Sequence, residues 1–339
     1  MGCIGATFSM SPYLQHLNLS RNPDMGDDGI LNLCKGSTEK RSRTSDESEK
    51  KVFSGLTYLD LSQCNLGAVG VQALSDFILR FRDNEKLFTL KLNENPIGNQ
   101  GMRSLANMIS SSIFEKSRDI SSVLVSLSLQ KCDIDDEDIH ILTSSVAEVG
   151  CSGLQELELA NNQFGEKGGK LLALSFQSQQ VWSTLSELNL AGNKLGSETV
   201  VDLCAGISNL GTINILNLCE TSCGADGAMA ALRLNNVKSL RLFNNKLESN
   251  GFELIAPLLE GGHSSLVNLD LGGNSAKEKA VVSLLSALLK DKPMKNSNLQ
   301  VLEIGGNEIG SEAEGILKEL ARKVPSLDIA RDRPKQQKS

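Results

Sequence analysis

Proton transfer or metal ligation would first be assigned to the three histidines, but His16, His140 and His263 lie far apart in the sequence and share no ligand spacing. Each reads as an ordinary surface or packing residue. Cys219 and Cys223 sit in one short stretch, yet no C-x-x-C pair and no second ligand cluster accompanies them, so the pattern of a zinc site is missing. The chain carries no G-x-x-x-x-G-K-[ST] phosphate loop, no G-x-S-x-G nucleophile turn and no H-E-x-x-H helix. No catalytic residue, metal or cofactor is therefore expected, and Trp182, the only tryptophan, is expected to pack. What is left is charge. Carboxylates such as Glu156, Glu158 and Glu187 recognise cations, and whether they act together depends on the elements that carry them.

Those elements repeat. The template L-x-x-L-x-L, with Ile or Val replacing Leu in three cases, begins at Leu14, Leu56, Leu87, Leu124, Leu154, Leu185, Ile213, Val237, Leu266 and Leu299. One such match is common in a leucine-rich chain, but ten in order are not. Three residues past each template stands a residue of restricted type: Asn22, Cys64, Asn95, Cys132, Asn162, Asn193, Thr221, Asn245, Asn274 and Asn307. An amide there can satisfy backbone groups where the chain leaves a buried strand, and Cys and Thr can do so in part. Cys64 and Cys132 are accordingly structural. Template starts fall between 24 residues apart (Ile213 to Val237) and 42 (Leu14 to Leu56), which leaves room for a helix. Apolar residues at helical intervals follow, as in Val71, Leu74, Phe77 and Ile78, or Val281, Leu284, Leu285, Leu288 and Leu289. Glycines such as Gly67, Gly98, Gly165, Gly196, Gly224 and Gly310 mark the turn from strand to helix.

The run from Leu56 to Cys64, followed by Gly67, Gly70 and Leu74, resembles the ribonuclease-inhibitor-like subfamily of leucine-rich repeats, and the resemblance covers nearly the whole chain. It implies an α/β solenoid of about ten repeats, a horseshoe with an inner parallel sheet and outer helices, acting through protein binding. The repeat is also similar to that of Ran GTPase-activating proteins, which would imply an arginine in a loop after an early strand and an acidic tail. Here only Arg21, in Leu19-Ser20-Arg21-Asn22, is comparable, and the tail is basic.

If template positions one, four and six are buried, alternation places positions three, five and seven on the open face of the sheet. That face holds Asp60, Glu156, Glu158, Glu187, Asp270 and Glu303 against Lys91 and Arg241, with Asn18, Tyr58, Asn93, Gln130, Asn189 and Phe243 among them. It is acidic, and consecutive repeats should bring Glu156, Glu158 and Glu187 within about 5 to 10 Å of one another. The expected partner is a protein presenting a basic surface, with Tyr58 and Phe243 adding apolar area and Arg241 lying among the carboxylates.

Composition agrees. The chain of 339 residues is 40% hydrophobic and only 4% aromatic, which suits many small layers of Leu, Ile, Val and Ala. A net charge of −7 disfavours nucleic acid phosphates as partners. No apolar run is long enough to span a bilayer. Gly2 and Cys3 offer a pair of acylation sites, but Ala6 breaks the myristoylation motif and an unmodified end is the preferred reading. Residues 1–13 form a lead-in, 14–329 the repeat domain, and 330–339 a basic, disordered tail. The stretch 37–51, STEKRSRTSDESEKK, is a solvated, disordered insertion between the first two repeats. The function expected is that of a cytoplasmic, noncatalytic scaffold or adaptor, with the nucleus as the alternative compartment. Two alternative functions stand beside it: a Ran-type GTPase-activating protein, and the regulatory repeat region of a larger sensor or nuclear scaffold.

Overall fold

The computed structural model describes residues 14–36, 56–81, 87–111, 124–151, 153–260, 265–290 and 298–331. The lead-in, Gly2 and Cys3, the insertion at 37–51 and the tail beyond Arg331 lie outside them. The chain divides into two compact units, Met1–Gln163 with Gln180–Leu185, and Phe164–Gln179 with Ser186–Ser339.

In the first unit the described elements run β1 (His16–Asn18), α1 (Gly26–Gly36), β2 (Tyr58–Asp60), α2 (Ala68–Phe81), β3 (Thr89–Lys91), α3 (Gly98–Ser111), β4 (Ser126–Ser128), α4 (Asp136–Val149) and β5 (Glu156–Glu158). The second holds α5 (Glu166–Ser175), β6 (Glu187–Asn189), α6 (Gly196–Leu210), β7 (Ile215–Asn217), α7 (Gly224–Leu232), β8 (Ser239–Arg241), α8 (Glu248–Glu260), β9 (Asn268–Asp270), α9 (Glu278–Leu289), β10 (Val301–Glu303), α10 (Ser311–Lys323) and β11 (Asp328–Ala330). Within each unit the strands are parallel and ordered as in the chain. This is an α/β repeat solenoid in which each turn adds one strand and one helix. The last described strand is β11. Ala330 belongs to it, and Arg331 pairs with Glu314 at 2.8 Å, so these two residues are part of the last repeat.

The core follows the template. Leu56 and Leu59 are 3% exposed and Leu61 is fully buried, and the other repeats bury the same positions except at Leu14, Leu19 and Leu124, which are half-buried. Each three-residue strand and each short helix is too small to stand alone, so its stability comes from the layer it shares with its neighbours. Trp182 is fully buried, as its packing role requires.

The residue after each template drives the turn. Asn95 donates its amide to the carbonyls of Leu61 (2.8 Å) and Leu92 (2.9 Å) and accepts from the backbone N–H groups of Cys64 and Leu66 (both 3.0 Å). One side chain thus ties two successive repeats. Asn162 does the same for Leu129, Leu159, Cys132 and Ile134, and Asn274 for Leu242, Leu271, Asn245 and Leu247. The thiols of Cys64 and Cys132 replace one of these donors, reaching the carbonyls of Leu19 (3.0 Å) and Leu92 (3.2 Å). Burial pushes the Cys132 thiol up to about 12, so it stays protonated and able to donate at neutral pH. Immediately before this position the backbone is left-handed, at Arg21, Gln63, Glu94, Lys131, Asn161, Glu220 and Asn244. Most of these side chains do not favour that conformation; the bonds on either side hold it.

Helix starts are capped within and between repeats. Asp135 accepts from the N–H groups of Glu137 and Asp138, while Asp138 accepts from Asp135 N, a complete capping box at the start of α4. Asp27 accepts from Gly67 N at 2.7 Å, and Glu278 from Glu312 N at 2.9 Å, so an acid of one repeat caps the next helix. Asp138 is only 3% exposed, and among the described residues its Oδ1 has no hydrogen-bond partner. Burial is the main cause that holds its pKa above the ordinary carboxylate value, with the charge of Asp135 adding to it. A raised folded-state pKa means that the folded chain binds this proton more tightly than the unfolded one. The group's unfavourable contribution is therefore felt above its folded pKa and is relieved as pH falls toward the unfolded value of about 3.9. Asp138→Asn keeps an acceptor for the cap, so its thermal melt at pH 7 should lie above the parent's, with the gap closing by about pH 4. A gap that does not change with pH would contradict this account of the buried carboxylate.

Candidate protein-binding face

Strand register fixes the open face of each sheet. In the first unit one row runs His16, Tyr58, Thr89, Ser126 and Glu156, and the next Asn18, Asp60, Lys91, Ser128 and Glu158. Tyr58 is sandwiched: His16 stacks on it with ring centroids 5.5 Å apart, and the Lys91 ammonium lies 5.7 Å from the ring centroid. Its hydroxyl donates to Asp60 Oδ2 at 3.4 Å. Asp60 is 9% exposed, and Lys91 stands beside it in register. The negative charge of this unit's face is therefore concentrated at β5, where Glu156 and Glu158 are half-buried. Glu158 is fastened in place. Ser128 Oγ lies 2.8 Å from its Oε2 and 2.7 Å from Asn93 Oδ1, and Asn93 Oδ1 also accepts from Gln130 N. The serine has one proton to give to either neighbour.

In the second unit one row reads Glu187, Ile215, Ser239, Asn268, Val301 and Asp328, and the next Asn189, Asn217, Arg241, Asp270, Glu303 and Ala330. Exposed Arg241 is in register with Asp270, and Asp270 with Glu303, each about one strand spacing of 4.8 Å away. Phe243 is half-buried beside the glycines of the following repeat. A Cβ at Gly273, where φ is +66°, would come within 2.6 Å of its ring. Glycine at 273 thus serves both the left-handed turn and the bed of the ring.

All nine residues expected on the face occupy it or its margin, but in two groups. Tyr58, Asp60, Glu156 and Glu158 belong to the first unit; Glu187, Arg241, Phe243, Asp270 and Glu303 belong to the second. Register adds His16, which sequence reading left as an ordinary surface or packing residue although it occupies the third template position. It also gives a second role to the fifth position. There Asn18, Asp60, Asn189, Asn217 and Asp270 each accept from the backbone N–H two residues on, at 2.8 to 3.1 Å. Asp60 and Asp270 are thus turn-forming residues as well as charges.

Among the described residues no group of three or more His, Cys, Asp and Glu side chains is close enough to hold a metal ion. Burial lifts the thiols of Cys132 and Cys223 to about 12 and that of Cys151 to about 11, which disfavours thiolate nucleophiles at those sites. Arg21 is exposed and sits at φ 63°, in the slot that Gln63, Glu94 and Lys131 fill in later repeats. Its loop is the ordinary repeat turn. No described helix is long and apolar enough to cross a membrane.

A family model described as Leucine Rich repeat matches residues 11–34, 56–75, 83–106, 150–173, 183–204 and 295–313. Ribonuclease inhibitor of Sus scrofa is 27% identical over 341 residues, covering 91% of this chain and 68% of that protein. Ribonuclease inhibitor of Mus musculus is 26% identical over 325 residues, covering 86% and 65%. NACHT, LRR and PYD domains-containing protein 14 of Mus musculus is 26% identical over 333 residues, covering 97% of this chain but 28% of that protein. With its stacked strand–helix turns, its Asn, Cys and Thr ladder and these relatives, the chain is a leucine-rich-repeat protein of the ribonuclease-inhibitor-like kind.

Proposed function

We propose that the chain is a noncatalytic protein-binding scaffold that uses the strand face to hold a partner with a basic surface. The supporting observation is the register. Within each unit it sets side chains of successive repeats side by side, with carboxylates at Glu156 and Glu158 in one unit and at Glu187, Asp270 and Glu303 in the other. A face built on short strands, with Glu158 fixed by Ser128, loses little side-chain entropy on binding. Complementary charge then governs orientation and association rate, and the half-buried rings of Tyr58 and Phe243 supply apolar area. Thiols that donate hydrogen bonds from Cys64 and Cys132 must be reduced, which supports a cytoplasmic or nuclear setting.

The test is affinity capture from a native cell extract with the full chain as bait, parent against a variant carrying Glu156→Lys, Glu158→Lys and Glu187→Lys. Proteins retained by the parent at low salt should be lost with the variant. Equal retention by both would remove the acidic face from the function. A second reading, the repeat region of a larger sensor, draws on the relative named for NACHT, LRR and PYD domains, which this chain matches over 28% of its length. It differs only in what the bound repeat would control.

A further inference from the structure

Where the chain enters β3 and β4, two apolar residues stand side by side at the edge of the first unit's strand face. Phe88 is 38% exposed and Val125 is half-buried. They hold the second template position, one residue before the in-register pair Thr89 and Ser126, and the N–H groups of Val125 and Ser126 both donate to the carbonyl of Phe88 at 2.8 Å. Their backbones are thus about one strand spacing of 4.8 Å apart. The second position is not a core position. Seven of the ten templates hold a polar residue there, and the one other apolar case, Val267, stands between Lys238 and Gln300 of the adjoining repeats. Only at Phe88 and Val125 do two apolar residues follow one another. A single exposed hydrophobe is ordinary, whereas a neighbouring pair at the edge of a polar face gains by being covered. Charge indicates what covers it. Ser126, next to Val125, is in register with Glu156, so by sheet spacing the Glu156 backbone lies about 6 Å from that of Val125 and about 10 Å from that of Phe88. An extended chain rises about 3.3 Å per residue, so these distances correspond to two or three residues of a partner.

We propose that Phe88 and Val125 are the apolar anchor of the binding face, seating an aliphatic or aromatic side chain of an extended protein segment whose Lys or Arg, two or three residues away, meets Glu156. The assignment rests on the reading of the strand face as a site for a basic partner, and it adds the feature that charge alone does not supply. Carboxylates attract any basic surface, whereas an apolar seat at a fixed distance from Glu156 selects segments with matching spacing.

Selection of a random twelve-residue peptide library, displayed on phage, against the full chain decides the matter. Peptides retained by the parent should carry an aliphatic or aromatic residue two or three positions from a Lys or Arg. Made synthetically, they should bind Phe88→Ala and Glu156→Gln each about ten-fold more weakly than the parent, and Val267→Ala as tightly as the parent. Circular dichroism at the assay temperature should show all three variants folded. Peptides that need Glu156 but bind Phe88→Ala like the parent would overturn the apolar anchor and leave the basic-partner reading standing. Peptides that lack Lys and Arg and bind Glu156→Gln like the parent would overturn both. Recovery of no peptide that the parent binds would overturn the anchor as well.

Discussion

Asn95→Ala should cost the fold about 4 kcal/mol, because the amide makes four short bonds to backbone groups of two repeats and alanine leaves all four groups buried without partners. Asn95 is 1% exposed, so water cannot replace what is lost. The matched control is Asn22, the same position in the first repeat. It is exposed and, among the described residues, its amide bonds the carbonyls of Leu19 and Ser20 in its own turn, at 2.8 and 3.2 Å. Asn22→Ala should cost less than about 1 kcal/mol. Chemical denaturation of the two variants checks the pair. Equal losses would show that the bridging bonds between repeats contribute nothing beyond the local turn.

The second large loss is expected at Trp182. The side chain is fully buried, and the segment that carries it is pinned by Cys151 N bonding the carbonyl of Val181 at 2.6 Å. Truncation to alanine removes the largest apolar side chain of the chain and opens a cavity that this segment cannot close, so Trp182→Ala should destabilise by about 3 to 5 kcal/mol. Phe88→Ala provides the comparison, since Phe88 is 38% exposed and its loss should stay below about 1 kcal/mol. Because the variant has no tryptophan, its unfolding must be followed by circular dichroism. A loss for Trp182→Ala no greater than that for Phe88→Ala would contradict the packing role.

Much of this fold was legible because its signals are local and repeated. Aliphatic residues at template positions one, four and six identify each strand, and the Asn, Cys or Thr after them identifies each turn. The cross-repeat cap from Asp27 to Gly67 was not legible, since it joins residues brought together only by stacking. The same holds for the sandwich of His16, Tyr58 and Lys91, whose members come from three repeats. The left-handed backbone at Gln63, Glu94 and Lys131 is not signalled by those residues themselves, because tertiary bonds impose it on side chains that do not prefer it. At the site, counting charges led to the expectation of an acidic face but not to how the carboxylates are held. Asp60 and Asp270 looked like free charge until the backbone showed them closing turns. The spacing of the repeats placed Glu156, Glu158 and Glu187 within about 5 to 10 Å of one another but said nothing of their neighbours. Ser128 lies within hydrogen-bond distance of Glu158, Glu156 stands in register with Ser126, and Glu187 belongs to the second unit.

The central claim is that partners bind the strand face, and site-specific photocrosslinking tests it most directly. Benzoylphenylalanine would replace Phe243 on the strand face or Leu254 on α8, a helix residue of the same unit and 38% exposed, in otherwise intact chains incubated with native extract. A strand-face site predicts a covalent adduct from position 243, suppressed by added salt, and none from position 254. An adduct from 254 with none from 243 would place binding on the helices and contradict the account.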